Sequence, residues 1–65
     1  MTIRGLIRCI VMDRWHLVRE CERIRQYQHP FKDGKITIAG DLDLEVVLSV
    51  MKVVLKKAGL DDKEV

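Results

Sequence analysis

The chain has 65 residues and a formal net charge of +2, with 48% hydrophobic and 34% charged residues. This length predicts one small domain over residues 1–65, and the composition is that of a globular protein rather than a disordered chain. No apolar run reaches the roughly 18 residues that a membrane span requires. Arg4 and Arg8 interrupt the apolar N-terminus, which argues against a secretory signal, and two cysteines form no disulfide framework. We therefore expect a cytoplasmic protein.

The charges are distributed unevenly along the chain. All arginines lie at or before Arg25, and all lysines lie at or after Lys32. An arginine-rich half suits phosphate or carboxylate partners, because a guanidinium group binds them through two hydrogen bonds. Ordinary solvated surface charge is the alternative, and composition alone does not decide between the two. The sequence has no zinc-site spacing and no glycine-rich phosphate loop, so we expect neither a metal nor a cofactor.

The first predicted element is an amphipathic helix over residues 3–12. Its apolar residues recur at intervals of three and four, the spacing of one helical face, and Thr2 is the predicted N-cap. Residues 15–21 are too short for a second helix and are rich in strand formers, so they predict a strand. In that strand, Trp15 and Leu17 are expected to face the core.

A second strand is predicted for residues 23–29, with Tyr27 as its core anchor and Pro30 at its end. The connection to the first strand is then a tight hairpin around Glu22. The turn signal Asp33-Gly34 precedes a third strand over residues 35–39.

A second helix is predicted for residues 43–58, with Asp43 as its cap and Gly59 as its end. Projected on a helix, its apolar residues form two stripes. The wider stripe should face the sheet and consists of Leu44, Val47, Leu48, Met51, Val54, Leu55 and Ala58. The second stripe consists of Val46, Val50 and Val53. A domain this small does not easily bury both stripes, so the second predicts an interface with another chain. Tolerated surface valines are the alternative.

The element order α-β-β-β-α predicts an α+β two-layer sandwich. In this fold class, a three-stranded antiparallel sheet carries both helices on one face. The other face of the sheet is open, and arginine side chains near it could meet RNA.

Four short segments, in this order and spacing, carry a resemblance to a known family. They are Trp15-x-Leu-Val-Arg19, Arg25-Gln-Tyr-Gln-His-Pro30, Thr37-Ile-Ala-Gly40 and Leu55-Lys-x-Ala-Gly-Leu60. With them, residues 3–60 resemble the HicA family of bacterial and archaeal toxins. The resemblance implies a double-stranded-RNA-binding-domain-like fold and an mRNA interferase that cleaves RNA without a metal. It also implies a neutralising antitoxin of the HicB family.

The sequence departs from the family pattern at the catalytic position. The family's Gly-Ser-His triplet, whose His is catalytic, corresponds to Glu22-Arg23-Ile24 here, and Ile24 cannot transfer a proton. His16 is expected on the same sheet face but about four residues along, roughly 13 Å at 3.3 Å per residue, so it could serve only a shifted substrate. The family's usual proline before the second helix is Leu48, which would allow that helix to begin earlier, near Asp43.

Three functions follow as hypotheses. The protein could be a HicA-like protein impaired in cleavage that binds RNA through Arg19, Arg23, Arg25 and Lys35. Arg23 and Arg25 could instead be solvated or could pair with Glu20 and Glu22. It could be an active mRNA interferase. It could also be an interaction module that binds a HicB-like antitoxin, or itself as a homodimer, through the second apolar stripe.

Overall fold

The computed structural model describes residues 1–60, which form two helices and three strands. These elements are α1 (Ile3–Met12), β1 (His16–Cys21), β2 (Ile24–Gln28), β3 (Ile36–Ala39) and α2 (Leu48–Lys57). The strands form one antiparallel sheet in the order β1-β2-β3. Both helices pack on the same face of that sheet, so the predicted α+β fold is confirmed. Within residues 1–60, no helix is long and apolar enough to cross a membrane.

Helix α1 has the predicted bounds and the predicted cap. The Thr2 hydroxyl accepts a hydrogen bond from the Gly5 amide at 3.2 Å, which satisfies one of the free N–H groups of the first turn. The apolar stripe of the helix buries Ile3, Leu6 and Ile10 against the sheet and α2. Its spacing of three and four residues therefore predicted the buried face correctly.

Nine apolar residues form one core between the helices and the sheet. They are Ile3, Leu6, Ile10, Trp15, Tyr27, Ile36, Ile38, Val54 and Ala58. Trp15 has the largest fully buried side chain, and its indole N–H donates to the carbonyl oxygen of Ala58 at 3.3 Å. This hydrogen bond joins the segment after α1 to the end of α2.

The tight hairpin around Glu22 is present, and Glu22 itself has a φ of 55°, which is in the left-handed region. Leu17 was expected to face the core, but its side chain is 45% exposed and is therefore not buried in it. Leu17 pairs with the buried Tyr27 and so lies on the helix side of the sheet. The buried sheet residues all belong to β2 and β3, however, which leaves β1 uncovered along its length.

The prediction that the second helix begins near Asp43 is wrong, because α2 begins at Leu48. The preceding segment instead runs alongside the N-terminus of the chain. Its backbone hydrogen bonds join Ile3 N to Leu44 O at 2.8 Å, Arg4 N to Leu42 O at 2.9 Å, and Val46 N to Met1 O at 2.8 Å. The first two bonds satisfy the amides of Ile3 and Arg4 at the start of α1. Because valine is a mediocre helix former, Val46 and Val47 lose little by remaining outside the helix.

The predicted end of α2 at Gly59 is confirmed. Gly59 has a φ of 76°, and the amide of Leu60 donates to the carbonyl oxygen of Leu55 at 2.8 Å. This is the hydrogen bond of a Schellman ending, for which glycine has no steric penalty. The Lys32 ammonium reaches the same end of the helix and donates to Ala58 O at 2.9 Å.

Stability is expected to fall in acid through Asp13. The hydrogen bond from Lys32 holds the pKa of the Asp13 carboxyl below its ordinary 3.8. A lowered carboxyl pKa contributes stability that is present above the ordinary value and is lost as the pH falls through the folded-state pKa. We expect Asp13→Asn to weaken the pH dependence of the thermal midpoint below about pH 4.

Thermal melts between neutral and acidic pH measure this effect, with Asp33→Asn as the matched control. Asp33 is exposed and forms no ion pair among residues 1–60. Equal pH dependence in Asp13→Asn and the native chain would contradict the role given to the Asp13–Lys32 pair.

Candidate functional site

The sheet face opposite the helices, here called the open face, carries the candidate site. Strand pairing places on this face His16, Arg19, Cys21, Ile24, Gln26, Gln28, Thr37 and Ala39. The set contains no carboxylate, and His16 has its only aromatic side chain. A surface of this composition does not repel a polyanion, and it would hold one mainly by charge and hydrogen bonds rather than by stacking.

Ile24 lies at the hairpin end of β2, the central strand of the sheet. Its neighbours in the ladder are Cys21 and Ala39, and its side chain is 47% exposed. Two shallow concavities, of about 680 and about 320 Å³, meet at Ile24. The first is lined by Glu22, Arg23 and Ile24, and the second by Arg19, Cys21, Ile24 and Gln26. The position is therefore accessible to a large ligand from solvent.

The four basic residues predicted to bind RNA fall into two groups. Arg19 is on the open face and Lys35 is exposed just before β3, and neither forms an ion pair among residues 1–60. Arg23, in the hairpin turn, pairs with Asp41 rather than with Glu22. Arg19 and Lys35 are therefore available to a ligand, whereas the ion pair between Arg23 and Asp41 would have to break before Arg23 could bind one.

Arg25 requires a correction, because its side chain lies on the helix side of the sheet. It is only 15% exposed, and its Nε is 3.2 Å from Oε2 of Glu20. Its Nη1 also donates to the carbonyl oxygen of Gly40 at 3.3 Å. The same alternation that buries Tyr27 places Arg25 on this side, and the predicted alternative, pairing with Glu20, is confirmed. Arg25 stabilises the sheet and is not part of the open face.

His29 has a structural position. Its ring is 5% exposed and lies edge to face against Trp15, with the ring centroids 5.3 Å apart. Nδ1 accepts the backbone N–H groups of Phe31 and Lys32, so Nε2 carries the proton and donates to Asp13 O at 2.6 Å. With both nitrogens engaged inside the fold, His29 is not a proton donor for a ligand on the open face.

His16 is on the open face, as predicted, but it is not next to Ile24. It pairs with Gln28, four residues along β2. At about 3.3 Å per residue, this separation is roughly 13 Å. The structure thus brings no histidine to the position that the resemblance makes catalytic.

The predicted valine stripe is only partly present. Val50 and Val53 lie on α2 and are 49% and 56% exposed. Val46 requires a correction, since it precedes α2 and packs partly buried against the core. Its place on the stripe depended on the helix beginning near Asp43, and the extended segment before α2 removes it.

Some residues of these surfaces were not singled out from the sequence. Gln26, Gln28 and Thr37 share the open face with Ile24. Alternation along the second strand already predicts this face for Gln26 and Gln28, but none of the three residues was predicted to bind RNA. Leu48 was expected on the core-facing stripe of the second helix, yet it is 59% exposed.

Among residues 1–60, no three side chains of metal-binding type lie together. The chain matches no protein-family model and no curated protein.

Proposed function

We propose that this protein is a HicA-like RNA-binding protein of a toxin–antitoxin system, impaired in RNA cleavage. The observation that carries the proposal is the exposure of Ile24 at the hairpin end of the open face, whose strand residues include no carboxylate. The position that needs a histidine for proton transfer is accessible but holds a side chain without a titratable group. With its two free cysteines, Cys9 and Cys21, such a protein belongs in the cytoplasm.

The start of α2 supports the same proposal. Leu48 is the first helical residue and stands where the resemblance expects a proline. Proline is favoured at the first position of a helix, because its missing N–H group would have no partner there. The helix therefore begins where the family pattern requires, although the proline itself is absent.

The open face suggests how RNA would be held. Arg19 and Lys35 would contact phosphates, because guanidinium and ammonium groups carry most of the salt-dependent affinity for nucleic acid. Gln26, Gln28 and Thr37 would donate to or accept from sugar hydroxyls and base edges. Because His16 has the only aromatic side chain among the strand residues of this face, the affinity should depend mainly on phosphate binding.

Replacing Arg19 by alanine is expected to weaken RNA binding about tenfold, since a hydrogen bond to a charged group contributes about 1.5 kcal/mol. The slope of log K against log salt should fall by about one, because one phosphate is no longer neutralised. Fluorescence anisotropy with labelled RNA at several salt concentrations measures both effects. Arg8→Ala is the matched control, because Arg8 is exposed on α1, away from the open face. An equal effect of both substitutions would contradict a site on the open face.

The exposure of Val50 and Val53 favours a second candidate function, partner binding through α2. The partner would be a HicB-like antitoxin or a second copy of this chain. RNA binding and partner binding use different surfaces, so both can hold together. Retained activity as an mRNA interferase would require another proton-transfer group near Ile24, and His16 lies too far along the sheet to act there.

A further inference from the structure

The outer face of α2 combines exposed apolar and basic side chains. We define this α2 outer face by its exposed residues, which are Leu48, Ser49, Val50, Lys52, Val53, Lys56 and Lys57. The helix contains no acidic residue, and its three lysines form no ion pair among residues 1–60. The face is therefore positive as well as apolar, and nothing within the described chain neutralises it.

The arrangement along the helix adds to this character. Val50, Val53 and Lys57 follow at intervals of three and four residues, so they form one row, and Lys52 and Lys56 form a neighbouring row. At the N-terminal end, Val47 provides no side-chain cap and the first turn has no acid. The partial positive charge at the N-terminal end of α2 is therefore not balanced by an acidic side chain of the helix.

We propose that the α2 outer face binds an acidic segment of a different protein chain. Aliphatic side chains of this segment cover Val50 and Val53, and its carboxylates pair with the lysines and the uncapped end of α2. The proposal deepens the partner binding proposed above by naming the chemistry of the partner. Of the two partners considered there, the proposal favours an antitoxin-like protein over a second copy of this chain.

Charge argues against a second copy of this chain on the same surface. A symmetric dimer through α2 would bring the three lysines of one helix against the three lysines of the other, with no acid on either helix to separate them. RNA phosphates would pair with the lysines. The sugar-phosphate backbone would, however, give Val50 and Val53 no apolar surface to pack against. An acidic segment with aliphatic residues satisfies both features.

A display library of random 16-residue peptides, selected on the full chain, tests the proposal. Peptides that also bind the double variant Val50→Ser/Val53→Ser are removed, and a thermal melt verifies that this variant is folded. We expect the remaining peptides to be acidic and to carry spaced aliphatic residues. Calorimetry should show about tenfold weaker binding of such a peptide to Lys52→Ser/Lys56→Ser, as for a truncated interface anchor.

Several outcomes would overturn the proposal. These are enrichment of neutral or basic peptides, and a failure to obtain any peptide that depends on the two valines. A dimer in sedimentation that dissociates in Val53→Ser would assign the face to a second copy. Weaker RNA binding by the lysine variant, with the valine variant unchanged, would assign it to RNA. Arg19→Ala should weaken RNA binding but leave peptide binding unchanged, so failure of one proposal is distinguishable from failure of the other.

Discussion

Replacing Ile24 by histidine is expected to raise RNA cleavage at least about 100-fold above that of the native chain, because a positioned general acid or base contributes about 10²–10⁴-fold. The histidine would take the proton of a 2′-hydroxyl group as its oxygen attacks the adjacent phosphorus. The bond from phosphorus to the 5′-oxygen then breaks, and that oxygen leaves as a hydroxyl group after taking a proton from water, so the products are a 2′,3′-cyclic phosphate and a 5′-hydroxyl end. Ile24 is 47% exposed, so the new ring enters solvent on the open face and displaces no core residue. The stability cost should stay within about 0.5 kcal/mol, as for most surface substitutions.

Single-turnover cleavage of labelled RNA by the native chain, Ile24→His and Ile24→Gln measures this effect. Glutamine is the matched control, because it is polar and of similar size but does not titrate near neutral pH. The rate of the histidine variant should change with pH around the ordinary histidine pKa of about 6.5. Cleavage by the native chain would refute the role given to Ile24. Cleavage by neither variant would remove the proposal of a decayed nuclease and leave RNA binding to be tested by Arg19→Ala.

The fold follows from the sequence wherever local signals are sufficient. The regular spacing in α1, the cap at Thr2 and the stop at Gly59 each depend on residues within one or two turns, and all three are confirmed. Alternation along β2 likewise identified the core side chain of Tyr27. Local patterns of this kind are decided by geometry that neighbouring residues share.

The start of α2 shows where local patterns fail. An apolar run from Leu44 onward fits a helix as well as an extended segment, and propensity alone does not place the boundary. The boundary depends on backbone bonds between residues 42–46 and residues 1–4, which are distant in sequence. Because the predicted helix began too early, Val46 was assigned to the exposed valine stripe, although it packs partly buried against the core.

The candidate site was predictable to a similar extent. The exposure of Ile24 follows from alternation and from a turn near Glu22, whereas the pairing of His16 with Gln28 also depends on an irregularity in the strand pairing between Leu17 and Arg19. The pairing of Arg23 with Asp41 does not follow, because Asp41 lies beyond the end of β3 and its approach depends on the tertiary fold. Ion pairs between segments distant in sequence are therefore the part of the site that required the structure.

Replacing Trp15 by alanine is expected to remove a large part of the free energy of unfolding of the protein. Removing a buried tryptophan or phenylalanine typically costs about 3–5 kcal/mol, whereas a chain of this length is stable by only about 3–10 kcal/mol in total. Trp15 is 1% exposed, and it packs against His29 while donating to Ala58 O. The alanine variant lacks the buried ring, the packing on His29 and the hydrogen bond, and the 65-residue chain has little other core to compensate.

Urea denaturation followed by circular dichroism measures this effect, with Phe31→Ala as the matched control. Phe31 is 78% exposed, so its truncation should leave the unfolding midpoint nearly unchanged. Trp15→Phe keeps most of the apolar packing but removes the N–H donor to Ala58, so its cost should be intermediate. A folded Trp15→Ala variant with a native midpoint would contradict the core described above. If Trp15→Phe binds RNA normally while Trp15→Ala does not, then the open face depends on the intact core and not on the indole hydrogen bond.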